Sequence, residues 1–334
     1  MKKIILLTGI ALLMSACAEH WNDMVHYEVK ASIVSFKVEG QVDCIINSSD
    51  KKIEVILPWY ADPTALKVTE FDYTESAVCN PAIKAGDILD LSEPVSVTLS
   101  TYDDYVWTLM ATLKPKPSDD LYNMTFDLWS KDIYGLDTPW EAESALDQRF
   151  WSSPTLYLGL FGYPLSFQES EFVAVGGEGK YALKLQTRSI SEMGGIVMDG
   201  CIFTGSYKEF DFTTQTASFG TPFIKRPNAM EGFACYKPKE ADNAVVFVAL
   251  ADWDAPYELS PLLKIVDDIE SIPGVIGYGK KIFSTEMTGY EDFTIDIKYL
   301  NDNTPKYVVV YASPSYKTPV GDSVLYLDEL GFTY

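Results

Sequence analysis

The sequence predicts an all-β protein built from two successive β-sandwiches, on three observations. Aromatic residues make up 13% of the chain, with 21 Tyr among them, and such side chains are enriched in strands. Short runs alternate apolar and polar residues between turn residues, and no long segment shows a helical period of about 3.6 residues. A stiff polar segment, "KPKPSDD", separates a shorter set of these runs from a longer one.

The N-terminus has the layout of an export signal. Two lysines precede an apolar run at 4–14, which is too short to cross a bilayer as a stable helix. The Ser-Ala-Cys that follows resembles the lipobox of bacterial lipoproteins, in which the Cys is lipidated and becomes the new N-terminus. We expect a lipoprotein signal peptide and its lipobox at 1–17, with Cys17 lipidated, and a tether at 18–30. An ordinary secretory signal with an incidental Cys is the alternative.

This reading places the protein in the cell envelope, as an outer-membrane lipoprotein that faces the periplasm or the outside. No other stretch of the sequence is long and apolar enough to cross a membrane, so the lipid is the only membrane attachment that we expect.

Charge and histidine content exclude several classes of function. The chain carries 26 Lys and Arg against 48 Asp and Glu, a net charge of −22, which would repel a nucleic-acid backbone. The two histidines, His20 and His26, both lie in the tether. A Ser-His-Asp triad or a His-rich metal site therefore cannot form within the two sandwiches. Any chemistry there would depend on carboxylates, Tyr, Lys or Arg.

Four cysteines follow the lipobox. Cys44 and Cys79 lie before the polar segment, and Cys201 and Cys235 lie after it. An exported chain can oxidise such pairs, so one disulfide per sandwich is compatible with the sequence. Buried free thiols are the alternative that the sequence favours, because Cys is a common core residue.

The first sandwich is expected at 31–115. Its first run, "YEVKASIVSFKVEG", should place Val34, Phe36 and Val38 on one face of a strand. "KKIEVILP" repeats the pattern, and "VSVTLSTYDDYVWTLMATL" reads as a hairpin with a Trp in its second arm. These spacings resemble the bacterial Ig-like modules that follow the tether in surface lipoproteins. A linker is predicted at 116–120.

The second sandwich is expected at 121–334. "NAVVFVAL" and "KYVVVYA" are apolar on both faces, which predicts central strands. "YALKLQTR" and "EDFTIDIKYL" alternate, which predicts strands with one buried face, and "SPLLKIVDDIES" is compatible with a short surface helix. We therefore predict a single large domain of the jelly-roll kind.

Several stretches of this second part resemble one family in the same order. They are "YALKLQTR", "FTGSYKEF", "FGTPFIKRPNAMEGFACYKP", "VFVALAD" and "SVLYLDELGFTY", and the family is the putative carbohydrate metabolism domain. It occurs in lipoproteins of glycan-degrading Gram-negative anaerobes, often behind an Ig-like module. The resemblance implies a jelly roll that resembles carbohydrate-binding modules, and it assigns no catalytic residue.

The last strand contains two adjacent carboxylates, Asp328 and Glu329. Strict alternation places Asp328 with Tyr326 and Phe332 on one face, and Glu329 with Leu325 and Leu327 on the other. In the jelly rolls that the family resembles, the first and last strands are neighbours and often hold a structural Ca²⁺.

That resemblance implies calcium ligands at Asp127, in the expected first strand "YNMTFDLW", and at Asp328, with carbonyls from the loop "VGGEGKY". The alternative is that backbone N–H groups, Lys or Arg hold the two carboxylates.

A carbohydrate site is expected on loops of the second sandwich. Sugars stack their C–H faces on aromatic rings and offer hydroxyls to polar groups. Three tryptophans lie in stretches that read as loops: Trp140, Trp151 and Trp253. Their expected polar neighbours are Tyr257, Asp254 and Arg226. The alternatives are that the tryptophans cap the ends of the sandwich and that Arg226 holds a buried carboxylate.

Three functions remain open from the sequence. The leading hypothesis is a lipid-anchored protein that binds a poly- or oligosaccharide for its capture or utilisation, with room for protein partners in an envelope glycan-uptake complex. The first alternative is a glycoside-active enzyme using carboxylates, for which Asp252, Asp254 and Glu258 are the nearest cluster. The second is a structural or adhesive surface protein.

Overall fold

The computed structural model describes residues 30–131, 135–139, 150–174, 179–210, 215–317 and 319–334. The chain divides into two compact units, Met1–Pro115 and Lys116–Tyr334, here called unit 1 and unit 2. Among the described residues, no helix has the length and apolar character needed to cross a membrane.

Unit 1 is a two-sheet sandwich. One sheet has the strand order β1-β4-β6 and the other β2-β3-β8-β7-β5, with β3 and β8 parallel. The strands are β1 (Ile33–Val38), β2 (Asp43–Asn47), β3 (Lys52–Leu57), β4 (Leu66–Tyr73), β5 (Val78–Asn80), β6 (Ile88–Leu89), β7 (Val95–Ser100) and β8 (Asp104–Leu113).

The core of unit 1 confirms most of the predicted faces and corrects one. Trp107 on β8 is buried between the sheets, as the hairpin pattern predicts, and Phe36 and Val38 are also buried. Val34 is 68% exposed, so its predicted place on that face is wrong. The pairing of β1 with β4 is irregular between Ile33 and Ser35, and Ile33 takes the inward position instead.

Unit 2 is also built almost wholly from strands. Its strands are β9 (Ser130–Lys131), β10 (Asp137–Thr138), β11 (Trp151–Ser152), β12 (Ser166–Glu169), β13 (Ala182–Gln186), β14 (Arg188–Ile190), β15 (Ile196–Met198), β16 (Ile202–Phe210), β17 (Gln215–Phe219), β18 (Thr221–Pro222), β19 (Ala229–Lys237), β20 (Ala244–Ala251), β21 (Tyr257–Leu259), β22 (Val275–Phe283), β23 (Glu291–Asp296), β24 (Lys298–Tyr299), β25 (Tyr307–Ser313) and β26 (Val324–Thr333). Its helices are α1 (Thr155–Leu158) and α2 (Lys264–Asp267), with 3-10 turns at Gly159–Phe161, Ser191–Met193 and Ile269–Ser271.

Two large sheets face each other in unit 2. The five-stranded sheet has the order β12-β13-β26-β19-β23. The nine-stranded sheet runs β21-β17-β16-β25-β20-β22-β24, with β11 paired to β16 and β18 to β25. Two small ribbons, β9-β10 and β14-β15, complete the unit. The all-β, two-sandwich prediction is therefore confirmed.

The nine-stranded sheet is buried on both faces. On β20, Val246 and Val248 point into the core between the two sheets, here called the inner core, while Val245 and Phe247 point the other way. That other side, here called the outer core, is covered by the segment 262–272, which includes α2. Burial on both sides explains why β20 carries apolar residues at successive positions. The predicted short helix therefore forms, and it packs on the sheet.

The expected first strand, "YNMTFDLW", is not a strand. Asn123 and Phe126 both have positive φ values, 53° and 57°, so the backbone turns instead of extending. The side chain of Asn123 stabilises this turn: its Oδ1 accepts the N–H of Leu128 at 2.9 Å and its Nδ2 donates to the Leu128 carbonyl at 2.8 Å. An Asn side chain that satisfies local backbone groups competes with strand pairing, and the alternation of apolar residues does not reveal it.

A β-bulge in β26 resolves the position of the two adjacent carboxylates. Glu231 lies opposite Gly331 and Phe233 opposite Asp328, so two residues of β26 oppose the single Gly232. Glu329 adopts a φ of 48° at this point. The bulge reverses the alternation. Residues on both sides of it therefore reach the inner core: Leu325, Leu327, Leu330 and Phe332. The predicted split of these residues between two faces is wrong for that reason.

The predicted linker, 116–120, is part of unit 2. Ser118 pairs with Phe332 through two backbone hydrogen bonds of 2.7 Å, in which each N–H donates to the other's carbonyl. The four cysteines that the structure describes are free thiols, and Cys79, Cys201 and Cys235 are buried.

Candidate functional site

Trp151 does not form a surface platform, so that prediction is wrong. Its indole is fully buried in the inner core, with the ring centroid 5.5 Å from that of Phe126. Its Nε1 donates to the carbonyl of Tyr122 at 2.9 Å. The pairing of β11 with β16 places the residue inside the sandwich, although Pro and polar neighbours follow it in sequence. Trp140 lies outside the described residues.

Trp253 is buried on the opposite side of the nine-stranded sheet. It is 7% exposed, belongs to the outer core, and donates from Nε1 to the carbonyl of Pro273 at 2.8 Å. Tyr257 stacks on it at a centroid distance of 5.0 Å and covers it. Because a sheet lies between Trp151 and Trp253, these two residues cannot contribute to one sugar site.

Two of the three predicted polar neighbours, Arg226 and Asp254, contact one loop, 301–306. Arg226 donates to the carbonyls of Asn301, at 3.1 Å, and Asn303, with its guanidinium 4.0 Å from the centre of the Tyr299 ring. Asp254 pairs with Lys306 at 2.7 Å. The hydrogen bond from Lys306 and its charge lower the pKa of Asp254, whereas a general acid needs a raised pKa. Arg226 and Asp254 are thus each held by groups of this loop.

Asp127, the first predicted calcium ligand, accepts backbone hydrogen bonds. Its Oδ1 accepts the N–H of Lys180 at 2.7 Å and of Tyr181 at 3.2 Å. Gly179 makes this approach possible, since a Cβ there would lie 2.0 Å from the same oxygen. This glycine of "VGGEGKY" therefore lets the backbone reach the carboxylate, and residues 175–178 of that stretch are outside the described residues.

Asp328, the second predicted ligand, is 3% exposed on the outer side of the five-stranded sheet. Its Oδ2 accepts the N–H of Ala174 and its Oδ1 that of Glu329, both at 2.9 Å. Burial raises the pKa of Asp328 to about 7, and the nearby charges of Glu329 and Asp127 act in the same direction.

These residues fit a calcium ion only in part. Two carboxylates close enough to repel each other would be stabilised by a cation, but N–H donors already occupy both. No cluster of three or more Asp, Glu, His or Cys residues suited to a metal is found within the described ranges. Calcium usually takes six to eight oxygen ligands. Its presence stays a prediction.

The outer face of the five-stranded sheet carries a row of aromatic residues that the sequence analysis missed. Phe167 on β12 lies opposite Lys184 on β13, and Lys184 lies opposite Tyr326 on β26. Residues directly opposite share a face, and Leu183 and Leu185 of β13 face the inner core, so this row faces outward. The three side chains are partly exposed.

Two further rings extend the row. Phe172 and Tyr290 stack at a centroid distance of 4.7 Å, and Phe172 meets Tyr326 edge-on at 5.1 Å. The Tyr290 hydroxyl donates to the Phe172 carbonyl at 3.1 Å, which fixes both rings. We call the set of Phe167, Phe172, Lys184, Tyr290 and Tyr326 the aromatic platform.

Polar groups border the platform. Gln186 lies two residues after Lys184 on the same face of β13, and Glu169 lies two residues after Phe167 on β12. A pocket of about 160 Å³ lies beside Phe167 and is lined in part by Gly135, Asp137, Thr155, Ser166 and Gln168. The platform thus combines flat apolar surface with groups that can form hydrogen bonds.

The sequence patterns did not predict this platform. Its members come from three strands and two loops that are separated in the sequence. In the sequence, Lys184 and Tyr326 each lie between two leucines. This alternation indicates that both side chains face outward, but it does not show which rings meet there.

The fold and the platform define a β-protein of two sandwich units, the second of which has an aromatic surface on one sheet. The chain belongs to the putative carbohydrate metabolism domain family, whose sequence model matches residues 125–332. The model described as SGBP, N-terminal, matches residues 33–112. The resemblance of the second sandwich to the putative carbohydrate metabolism domain is thereby confirmed. A comparison with curated proteins gives no match.

Solved structures with a similar fold include two described as putative glycoside hydrolases. The one from Bacteroides thetaiotaomicron is 19% identical, with a TM-score of 0.46, and the match covers 92% of this chain and 97% of that one. The one from Bacteroides vulgatus is 17% identical, with a TM-score of 0.46 and coverage of 63% and 96%. A carbohydrate-binding module of the β-sandwich superfamily is 8% identical, with a TM-score of 0.35 and coverage of 91% and 98%.

Proposed function

We propose that this protein is a lipid-anchored protein of the cell envelope that binds a poly- or oligosaccharide on the aromatic platform of unit 2. The observation that carries the proposal is the platform itself: partly exposed rings on a rigid sheet, bordered by Lys, Gln and Glu side chains.

The chemistry of sugars supports this assignment. A pyranose ring stacks its C–H face on an aromatic ring, and its hydroxyls need planar or charged hydrogen-bonding groups at the edge of that ring. Phe167 and Tyr326 supply such faces, and Gln186 supplies an amide at their edge. The rings lie on strands and are fixed by neighbours, so little conformational entropy is lost when a ligand binds.

The family supports the same ligand class. The model that matches residues 125–332 is described as a putative carbohydrate metabolism domain, and the model that matches residues 33–112 as SGBP, N-terminal. We infer from these two descriptions that both parts of the chain serve glycan binding. Lipidation at Cys17 would place the platform at the outer membrane, where a captured polysaccharide can be passed to protein partners in a glycan-uptake complex.

Binding to an array of plant, host and microbial polysaccharides tests the proposal directly. We expect the full chain to bind at least one glycan class without releasing reducing ends. Tyr326→Ala should weaken that binding about tenfold, since a stacked ring contributes on the order of 1 kcal/mol. Tyr102→Ala is the matched control, because Tyr102 is 82% exposed and lies in unit 1. Equal binding by both variants, or no binding to any glycan, would refute the proposed function.

A further inference from the structure

A lysine lies between two rings of the aromatic platform. The Nζ of Lys184 is 5.5 Å from the centre of the Phe167 ring and 5.9 Å from that of Tyr326. Both distances are within the range of cation–π attraction, which holds an ammonium group near the ring faces. The charge is therefore kept at the surface where a stacked sugar would lie.

Lys184 has no carboxylate within the 4.0 Å of an ion pair in the part of the chain that the structure describes. Glu169, an acid on the same face, binds the backbone of the next two residues. Its Oε1 accepts the N–H groups of Ser170 at 3.0 Å and Glu171 at 2.9 Å. The other lysine on this face, Lys237, donates to the carbonyl of Met287. Among the described residues, Lys184 is thus the platform cation that no carboxylate engages.

We propose that Lys184 binds an anionic substituent, the carboxylate of a uronate or a sulfate, on a sugar that stacks on Phe167 and Tyr326. This inference rests on the proposed function and specifies its ligand class. A stacked pyranose projects its substituents from the edge of the ring, and an ammonium held between two rings meets that edge. Gln186, two residues along the same face, is placed to bond a neighbouring hydroxyl.

The charge of the whole chain makes this recognition local. With a net charge of −22, the protein repels an anionic glycan at long range. Attraction at Lys184 acts at contact, where a charged hydrogen bond is about twice as strong as a neutral one. Added salt weakens both the long-range repulsion and the attraction at Lys184. These two changes have opposite effects on the affinity, so the salt dependence of binding does not test the proposal.

The test compares pairs of ligands that differ at one substituent, which is anionic in one member and uncharged or absent in the other. Calorimetry at one fixed salt concentration would measure binding of the full chain to oligogalacturonate and to its methyl ester, with a sulfated and an unsulfated galactan oligosaccharide as the second pair. We expect the anionic member of at least one pair to bind about tenfold more tightly. The pair that shows the difference identifies uronate or sulfate.

Variants separate the inference from the proposed function. Lys184→Gln should remove the preference for the anion, so that the anionic and neutral members of the pair bind this variant with equal affinity. Lys281→Gln, which changes the net charge equally at an exposed residue of β22, should keep the preference. Equal affinity within both pairs would overturn the inference and leave glycan binding intact. Failure of every glycan, neutral or anionic, to bind the wild-type chain would overturn both.

Discussion

The carboxylate of Asp328 binds the backbone of Ala174, a residue 154 positions earlier in the chain, through an N–H hydrogen bond of 2.9 Å to Oδ2. Ala174 is two residues from Phe172, whose carbonyl accepts the hydroxyl of Tyr290. The first bond holds the segment that carries the Phe172 ring against β26, and the second joins it to Tyr290. The buried acid of the last strand therefore supports the proposed binding surface.

We expect Asp328→Ala to lower the free energy of unfolding by about 1–3 kcal/mol, because the buried N–H of Ala174 loses its acceptor. Glycan binding should weaken as well, through the displaced Phe172 ring. Urea denaturation measures the first effect and calorimetry the second. Asp292→Ala, at an exposed position on β23 of the same sheet, is the control and should stay within about 0.5 kcal/mol of wild type. Identical behaviour of the two variants would contradict the role assigned to Asp328.

The stability of the protein should fall as pH rises from about 5 to 7, because two buried acids have raised pKa values. Burial raises the pKa of Asp199 to about 7, as it does for Asp328. Asp199 is partly exposed as a residue, but its carboxylate lies beside Ser313, with the two oxygens 2.6 and 2.7 Å from that hydroxyl.

The sign follows from proton binding. Between the unfolded pKa of about 4 and the folded pKa near 7, the folded state binds more protons than the unfolded state, so each pH unit lowers stability. We expect a loss on the order of 1–2 kcal/mol per acid between pH 5 and 7. Urea denaturation across this range should show the decline, and Asp199→Asn should reduce it. A rise in wild-type stability over the same range would show that the sign is wrong.

The predicted calcium site requires that the ion stabilise the folded chain. Adding Ca²⁺ in excess of its Kd should raise the Tm, and EGTA should reverse the change, because the ion binds the folded state alone. Asp127→Asn should abolish the response by removing one of the two predicted ligands. Magnesium is the control cation, since it prefers a smaller octahedral site. A Tm that neither Ca²⁺ nor EGTA changes would contradict the predicted calcium site.

Lipidation of Cys17 predicts a membrane-bound protein with acyl chains at its N-terminus. Intact-mass analysis of the membrane fraction should find residues 1–16 removed and lipid attached to Cys17. Cys17→Ala should release the protein in soluble form after export. A wild-type protein that is fully soluble after export would rule out the anchor.

The burial of Trp151 predicts a stability effect without a direct binding effect. Trp151→Ala should cost about 3–5 kcal/mol, since it leaves a cavity in the inner core and the Tyr122 carbonyl without its donor. Tyr326→Ala should show the reverse, with a smaller stability cost than Trp151→Ala and a large loss of binding. Denaturation curves and calorimetry on both variants distinguish the roles. Wild-type stability of the Trp151→Ala variant would contradict the burial of this side chain in the inner core.

The sequence predicted those parts of the fold that follow from local patterning. Successive apolar residues in β20 and β25 marked strands buried on both faces, since only burial on both sides makes that composition favourable. Alternation in β13 and β23 correctly placed Leu183, Leu185 and Phe293 in the inner core. The Trp of the unit 1 hairpin was likewise correctly assigned to a buried face.

Local patterning failed where a single residue changed the backbone direction. The positive φ of Asn123 turned an expected strand away, and the positive φ of Glu329 shifted the faces of β26. An alternating pattern has a period of two, so one inserted residue reverses every inward and outward assignment after it.

By itself the sequence determined the all-β class, the two sandwich units and the family, because these depend on composition, short periods and motifs read along the chain. Tertiary structure alone decided the candidate site. It buried Trp151 and Trp253 on opposite faces of one sheet, and it aligned Phe167, Lys184 and Tyr326 across three strands. Strand pairing over long sequence distances sets which side chains meet, and no local pattern encodes that register.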